Sequence, residues 1–138
     1  MKNEEIELAL KLLKRLIKTP SFSTEEEKTA ELISEWLEQQ KIIHHRVGNN
    51  LWSRNKFFDE SKPTLLLNSH HDTVQPNVSY TRDPFLPKIE NGKLYGLGSN
   101  DAGGCLVSLL TCFVHFYEKK NLNYNLVIVA SAEEENSG

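Results

Sequence analysis

Apolar residues between positions 4 and 18 recur near a helical spacing: Ile6, Leu8, Leu10, Leu12, Leu13, Leu16 and Ile17. Glutamates come early in this stretch and lysines late, an order that suits the helix dipole. Thr19-Pro20 ends the helix, because a residue before proline avoids the helical region. Ser23-Thr24-Glu25-Glu26 reads as a capping box, with Ser23 as N-cap and Glu26 three residues on. The second helix then runs to about Gln40, with Ala30, Ile33, Trp36 and Leu37 on its apolar face.

The pattern changes after Gln40. Ile42 to Val47 and Leu51 to Ser53 read as short strands joined by the turn Gly48-Asn49-Asn50. Thr64 to Asn68 is an apolar run bounded by Pro63 and polar residues, the signature of a buried strand. Ile89 to Leu94 predicts a hairpin, with Asn91-Gly92 supplying the positive φ angles of its turn. Residues 101–119 predict a helix opening at Asp101, apolar on most of its circumference and therefore heavily buried. Leu126 to Ala130 predicts a second buried strand. Two helices, strands, a hairpin, a helix and a strand give a mixed α/β layer fold, with helices packed on a largely buried sheet. The chain ends at Gly138, a few residues beyond the last strand, where an α/β sheet ordinarily continues.

At 138 residues the expectation is one domain. The formal charge of -3 and the lack of a basic stripe argue against a nucleic-acid partner. No apolar run is long enough to span a membrane. The first twenty residues mix charged with apolar positions, unlike a secretory signal, so a cytoplasmic location is the default. The sequon Asn77-Val78-Ser79 is then a chance match. Cys105 and Cys112 lie seven apart on one predicted helix, about 10 Å along its axis. That is too far for a disulfide, and both are expected to be reduced core thiols.

Candidate chemistry lies in three places, each where an element ends, as sites in open α/β sheets do. The first is Ser69-His70-His71-Asp72. In extended chain His70 and Asp72 share a face, and His71 takes the other. His70 could bind a metal while Asp72 orients its ring, or the two form a hydrogen-bonded pair with no metal. The second is the glycine-rich run Gly96 to Gly104. A dinucleotide loop would need glycine where Asp101 stands, and the carboxylate would repel a phosphate. Small residues around Asp101 instead let the backbone crowd a shared centre, unless Asn100 and Asp101 only cap the next helix. The third is Ala132-Glu133-Glu134-Glu135. Adjacent carboxylates raise one another's pKa, a conflict that a cation would remove and that a solvated acidic loop would simply tolerate. Together these residues make an N/O donor set suited to zinc.

These motifs, in this order and spacing, resemble those of the acetylornithine deacetylase, succinyl-diaminopimelate desuccinylase and carboxypeptidase G family of zinc amidohydrolases. The resemblance starts at Thr19-Pro20-Ser21-Phe22-Ser23. It continues through Leu67 to Val74 and Leu94 to Asp101, and ends at Ala132 to Glu135. It implies the zinc exopeptidase catalytic fold and a two-zinc centre, with cobalt as a substitute metal. His70 would bind one zinc and Asp72 would support it, Asp101 would bridge the pair, and Glu135 would bind the second ion. Glu134 would be the general base, and Glu133 has no assigned role. The implied reaction is hydrolysis of an N-acyl, most often N-acetyl, amino acid, as in arginine biosynthesis. Ser69, Leu97 and Ala102-Gly103-Gly104 depart from the usual family residues without removing a ligand, and so leave substrate choice open.

Members of that family are well over twice this length. They add a further acidic ligand, a late histidine ligand and a lid or dimerisation domain. Residues 1–138 are therefore expected to form the N-terminal part of a catalytic domain, inactive alone. An exposed sheet edge would favour homo-oligomerisation. The alternatives are a dipeptidase or aminopeptidase of the same family, and a non-catalytic binding or assembly fragment.

Overall fold

The computed structural model of the chain describes residues 3–136. Gly138, beyond which the sheet is expected to continue, lies outside them. Helix α1 spans Asn3–Lys18 and α2 spans Glu27–Gln39. The strands are β1 (His45–Val47), β2 (Asn50–Arg54), β3 (Thr64–His70), β4 (Lys88–Glu90), β5 (Lys93–Tyr95) and β6 (Asn125–Ser131). Helix α3 (Cys105–Tyr117) precedes β6. The main sheet has the order β1-β2-β6-β3. Within it β2 runs antiparallel to β1 and β6, whereas β3 and β6 are parallel. The sheet is thus mixed, as the order of elements implies. No helix among the described residues is long and apolar enough to cross a membrane.

One core lies between the three helices and one face of this sheet. Leu12, Leu16, Ile33, Leu37, Leu106, Leu110 and Phe113 meet Leu51, Leu126, Ile128 and Ala130. The alternation of Leu126, Ile128 and Ala130 follows from the two-residue period of a strand. Strand β6 is central, with a partner on each side, which accounts for its continuous apolar run. The apolar run of β3 means something else. Among the described residues it stands at the edge of the sheet, paired with β6, and Leu65 and Leu66 are 50% and 57% exposed. The expectation of a buried strand is corrected here, because hydropathy reports a side chain's preference and not how many neighbours the strand has.

Other local expectations shift for identifiable reasons. Strand β1 starts at His45, since the His44 ring turns back to the Ile42 carbonyl and the Ser34 hydroxyl. Ser23 does not cap α2. Its hydroxyl donates to Asp72 Oδ2 at 2.6 Å, and the helix starts at Glu27 without a side-chain cap. Helix α3 starts at Cys105 rather than Asp101, because Asp101 is extended at φ -113°, ψ 103°. Cys105 is exposed, not a core thiol, and Cys112 is partly buried; both are free. The hairpin forms as expected, with Asn91 and Gly92 at φ 51° and 75°.

The glycine-rich segment before α3 is packed tightly against α1 and the end of β3. Gly98 has φ 72°, and a Cβ there would lie 2.7 Å from Thr73 Cγ2. The Gly103 amide donates to the Gly98 carbonyl at 2.8 Å. A Cβ on Gly103 would sit 2.6 Å from that oxygen and 2.8 Å from Leu13 Cδ1. Gly103→Ala should therefore cost about 1–3 kcal/mol through overpacking, read as a lower midpoint in thermal or urea unfolding. Unchanged stability would mean that the loop and α1 are not in this close contact.

Candidate metal centre

Strands β3 and β6 are parallel and in register, with His70 opposite Ser131. Their carboxyl ends therefore release residues 70–72 and 131–135 side by side, at the edge where α/β sheets place ligands. The glycine-rich segment supplies the third component, carrying Asp101 to the same spot. Its small residues let the main chain approach that closely, as the sequence suggested.

His70 is buried and its two ring nitrogens have different partners. Nδ1 lies 3.1 Å from the Asp72 carbonyl oxygen and 3.3 Å from Asp72 Oδ1. A carbonyl only accepts, so Nδ1 carries the proton. Nε2 faces Asp101 Oδ1 at 3.1 Å and Glu134 Oε2 at 3.7 Å; carboxylates only accept, so Nε2 donates here as well, and a cation would take that proton's place. This is the arrangement of a metal-binding histidine whose tautomer is fixed from behind. Burial pushes the His70 pKa down, but hydrogen bonding to Asp101 and the charges of Asp72 and Glu134 outweigh it, so the net shift is up.

Asp72 is fully buried and does more than hold His70. Oδ2 accepts the Ser23 hydroxyl and the Glu135 amide at 2.9 Å, and Oδ1 accepts the Glu134 amide at 3.1 Å. Burial raises its pKa, yet these donors together with His70 hold it below the usual carboxylate range. Glu135 is shifted the other way. Burial and the neighbouring Asp101, Glu134 and Asp72 carboxylates push it up, against the smaller opposing effect of His70. A cation placed among these groups would relieve that repulsion.

The donor set fits a metal. Among the described residues, one ligand atom each from His70, Glu134 and Glu135 lies within 4.8 Å of the others. A small closure would bring them to the roughly 2 Å bonds of a zinc ion. Asp101 stands beside this group through its contact with His70 Nε2, on an exposed side chain. The structure thus brings together His70, Asp72, Asp101, Glu134 and Glu135. His71 points to the opposite side, as the strand period requires. Its Nε2 donates to the Asn49 carbonyl at 2.9 Å, and Nδ1 then accepts the Thr29 hydroxyl at 2.9 Å. Burial lowers its pKa, so it is a neutral structural histidine.

Sequence reasoning missed Glu26, Asn49 and Asn50 as neighbours of the site. Glu26 Oε1 accepts the Glu133 amide at 3.0 Å, and Asn50 Oδ1 accepts that of Ala132 at 3.0 Å. Asn49 Nδ2 donates to Glu26 Oε2 at 3.0 Å. Nothing local signals these bonds, which join residues 82, 107 and 23 positions apart. The pattern Ser23 to Glu26 had a sufficient local explanation as a capping box.

Known proteins resemble this chain in sequence and in fold. The profile of Peptidase family M20/M25/M40 matches residues 66–138. An acetylornithine deacetylase of Edwardsiella ictaluri is 32% identical over 98% of this chain and 38% of its own length. A succinyl-diaminopimelate desuccinylase of Delftia acidovorans is 26% identical over 91% of this chain and 36% of its own. The chain thus spans a little over a third of these relatives. An M20 family metallo-carboxypeptidase from Sulfolobus solfataricus superposes with a TM-score of 0.77 at 26% identity. It covers 98% of this chain and 32% of that one. A dinuclear metal binding peptidase from Bacillus subtilis shares the fold, with a TM-score of 0.68 at 16% identity, over 97% of this chain and 37% of its own. With more than half of its residues matched by the family profile, from β3 through the glycine-rich segment to the acidic turn, the chain belongs to Peptidase family M20/M25/M40.

Proposed function

We propose that these residues form the N-terminal part of the catalytic domain of a zinc-dependent amidohydrolase that removes the acyl group, in the first instance acetyl, from an N-acylated amino acid. The observation that carries this reading is the meeting of His70, Glu134 and Glu135 ligand atoms at the ends of two parallel strands. N-acetylornithine and N-acetylcitrulline are the substrates we favour, in arginine biosynthesis and in the cytoplasm. Relatives that align over nearly the whole chain bear the name acetylornithine deacetylase, which supports that choice. The desuccinylases keep a longer acyl group in view.

In this reading His70, Asp101 and Glu135 would hold the zinc centre. Zinc bound there would polarise the amide carbonyl and lower the pKa of water. Glu134 takes the proton from the attacking water and passes it to the departing amine. Its side chain is 58% exposed, so it faces the solvent from which substrate arrives. Asp72 keeps the His70 proton on Nδ1 and holds the backbone that presents both glutamates. Further ligands and a substrate-binding lid would come from other parts of a complete enzyme, and the 138-residue chain alone would turn over little or no substrate.

A second reading is a dipeptidase or carboxypeptidase using the same half-site. It is favoured by the likeness to the M20 family metallo-carboxypeptidase at 26% identity. Hydrolysis of N-acetylornithine against a panel of dipeptides by the complete enzyme separates the two. A non-catalytic fragment has no use for both a ligand and a base in the acidic turn, so the glutamate pair argues against it.

Elemental analysis of the purified chain should find zinc, and His70→Ala should lose it. Zinc retained by His70→Ala would remove His70 from the ligand set. In the complete enzyme Glu134→Ala should abolish measurable turnover with nearly unchanged zinc content. Loss of zinc instead would exchange the roles of Glu134 and Glu135. Asp72→Asn should weaken zinc binding by about 10–100-fold, measured by competition with a chromophoric chelator. Wild-type affinity in that variant would mean that Asp72 only stabilises the fold.

A further inference from the structure

We propose that Glu26, outside the ligand set, is a positioning residue for the acidic turn, fixing the main chain from which Glu134 and Glu135 project. The inference rests on the metal reading above for its consequence but not for its geometry.

The Glu26 side chain is fully buried, 0% exposed, at the start of α2. A buried carboxylate is costly unless its oxygens are hydrogen-bonded, and here three N–H groups serve them. Oε1 accepts the amides of Thr24 at 2.8 Å and Glu133 at 3.0 Å. Oε2 accepts the Asn49 side-chain amide at 3.0 Å. The two residues whose amides converge on Oε1 are both non-glycine residues with positive φ, Thr24 at 77° and Glu133 at 61°. Such a conformation is disfavoured for residues with a Cβ and persists only where the surroundings fix it. The bond to Thr24 is local. The bond to Glu133, directly before the proposed base, joins the start of α2 to the acidic turn.

The left-handed turn at Glu133 reverses the chain as it leaves β6. It thereby sends the next two amides to Asp72 and the next two side chains toward His70. Without the Glu26 acceptor, Glu133 would relax toward negative φ. Glu134 and Glu135 would then lose their fixed direction. Asn49 ties the same carboxylate to the β1–β2 turn, whose Asn50 holds the Ala132 amide.

The test uses the 138-residue chain with Glu26→Ala, Glu26→Gln and, as a stability control, Asn125→Ala. Asn125 is fully buried and holds the 59–64 segment, far from the acidic turn. Amide hydrogen exchange is followed by NMR, and zinc affinity by chelator competition. Glu26→Ala should speed exchange at Glu133 to Glu135 at least about tenfold relative to β3 and β6. It should weaken zinc about 10–100-fold, as loss of outer support typically does. Glu26→Gln can still offer a carbonyl oxygen to Glu133 and should recover most of both losses. Asn125→Ala should change neither at comparable global stability. Wild-type exchange at Glu133 to Glu135 in Glu26→Ala, or an equal effect of Asn125→Ala, would overturn the proposal. If the wild-type chain binds no zinc, residues 1–138 do not hold the metal without further ligands, and the exchange rates alone decide whether Glu26 positions the turn.

Discussion

Four consecutive amides after β6, from Ala132 to Glu135, each donate to a side chain supplied by another part of the fold. Asn50 takes the first, Glu26 the second, and Asp72 the third and fourth. A turn that leaves a buried strand must satisfy its polar groups somewhere. Here the acceptors come from the β1–β2 turn, the start of α2 and the end of β3. The acidic turn is therefore the place where those elements are tied together. Two of the three acceptors are buried carboxylates, and hydrogen bonds to a charged group are stronger than neutral ones. The conformation of Glu133 to Glu135 is thus specified by the tertiary fold rather than by the turn's own sequence.

The same arrangement sets the electrostatics of the centre. Asp72 is stabilised in its charged form by donors on every side, so it can remain an anion beneath His70. Glu135 has no comparable set of donors, and its pKa is driven up by burial and by the carboxylates beside it. One fold thus pushes two acids in opposite directions over a few ångströms. The fixed anion orients the histidine, and the crowded acids supply a place where positive charge is favourable. His70 links the two, with Nδ1 on the Asp72 side and Nε2 on the crowded side.

Packing explains how three distant segments reach one point. The parallel pairing of β3 and β6 brings their ends into register, while the glycines after β5 let the chain pass close to α1 and Thr73. Asp101 is extended between two tightly packed turns, which is why α3 starts four residues later than its sequence pattern suggests. The delay keeps the Asp101 carboxylate out of the helix and next to His70. Ser23 follows the same logic. Asp72, a buried acceptor, outcompetes the end of α2 for its hydroxyl.

Local sequence determined the elements and the chemical types at the site. The spacing of leucines in α1, the Asn91-Gly92 turn and the apolar run of β6 are each explained by forces acting over a few residues. His70, Asp72, Asp101 and the glutamates stood out because polar groups directly following apolar runs are unusual. Tertiary structure decided which strand was central and which was the edge, since alternation and hydropathy carry no information about the number of partners. It also decided that Ser23 and Glu26 would leave the helix cap for Asp72 and Glu133. A hydrogen bond between residues 107 positions apart depends on how whole elements pack, and the short-range pattern around either residue is equally consistent with a local bond.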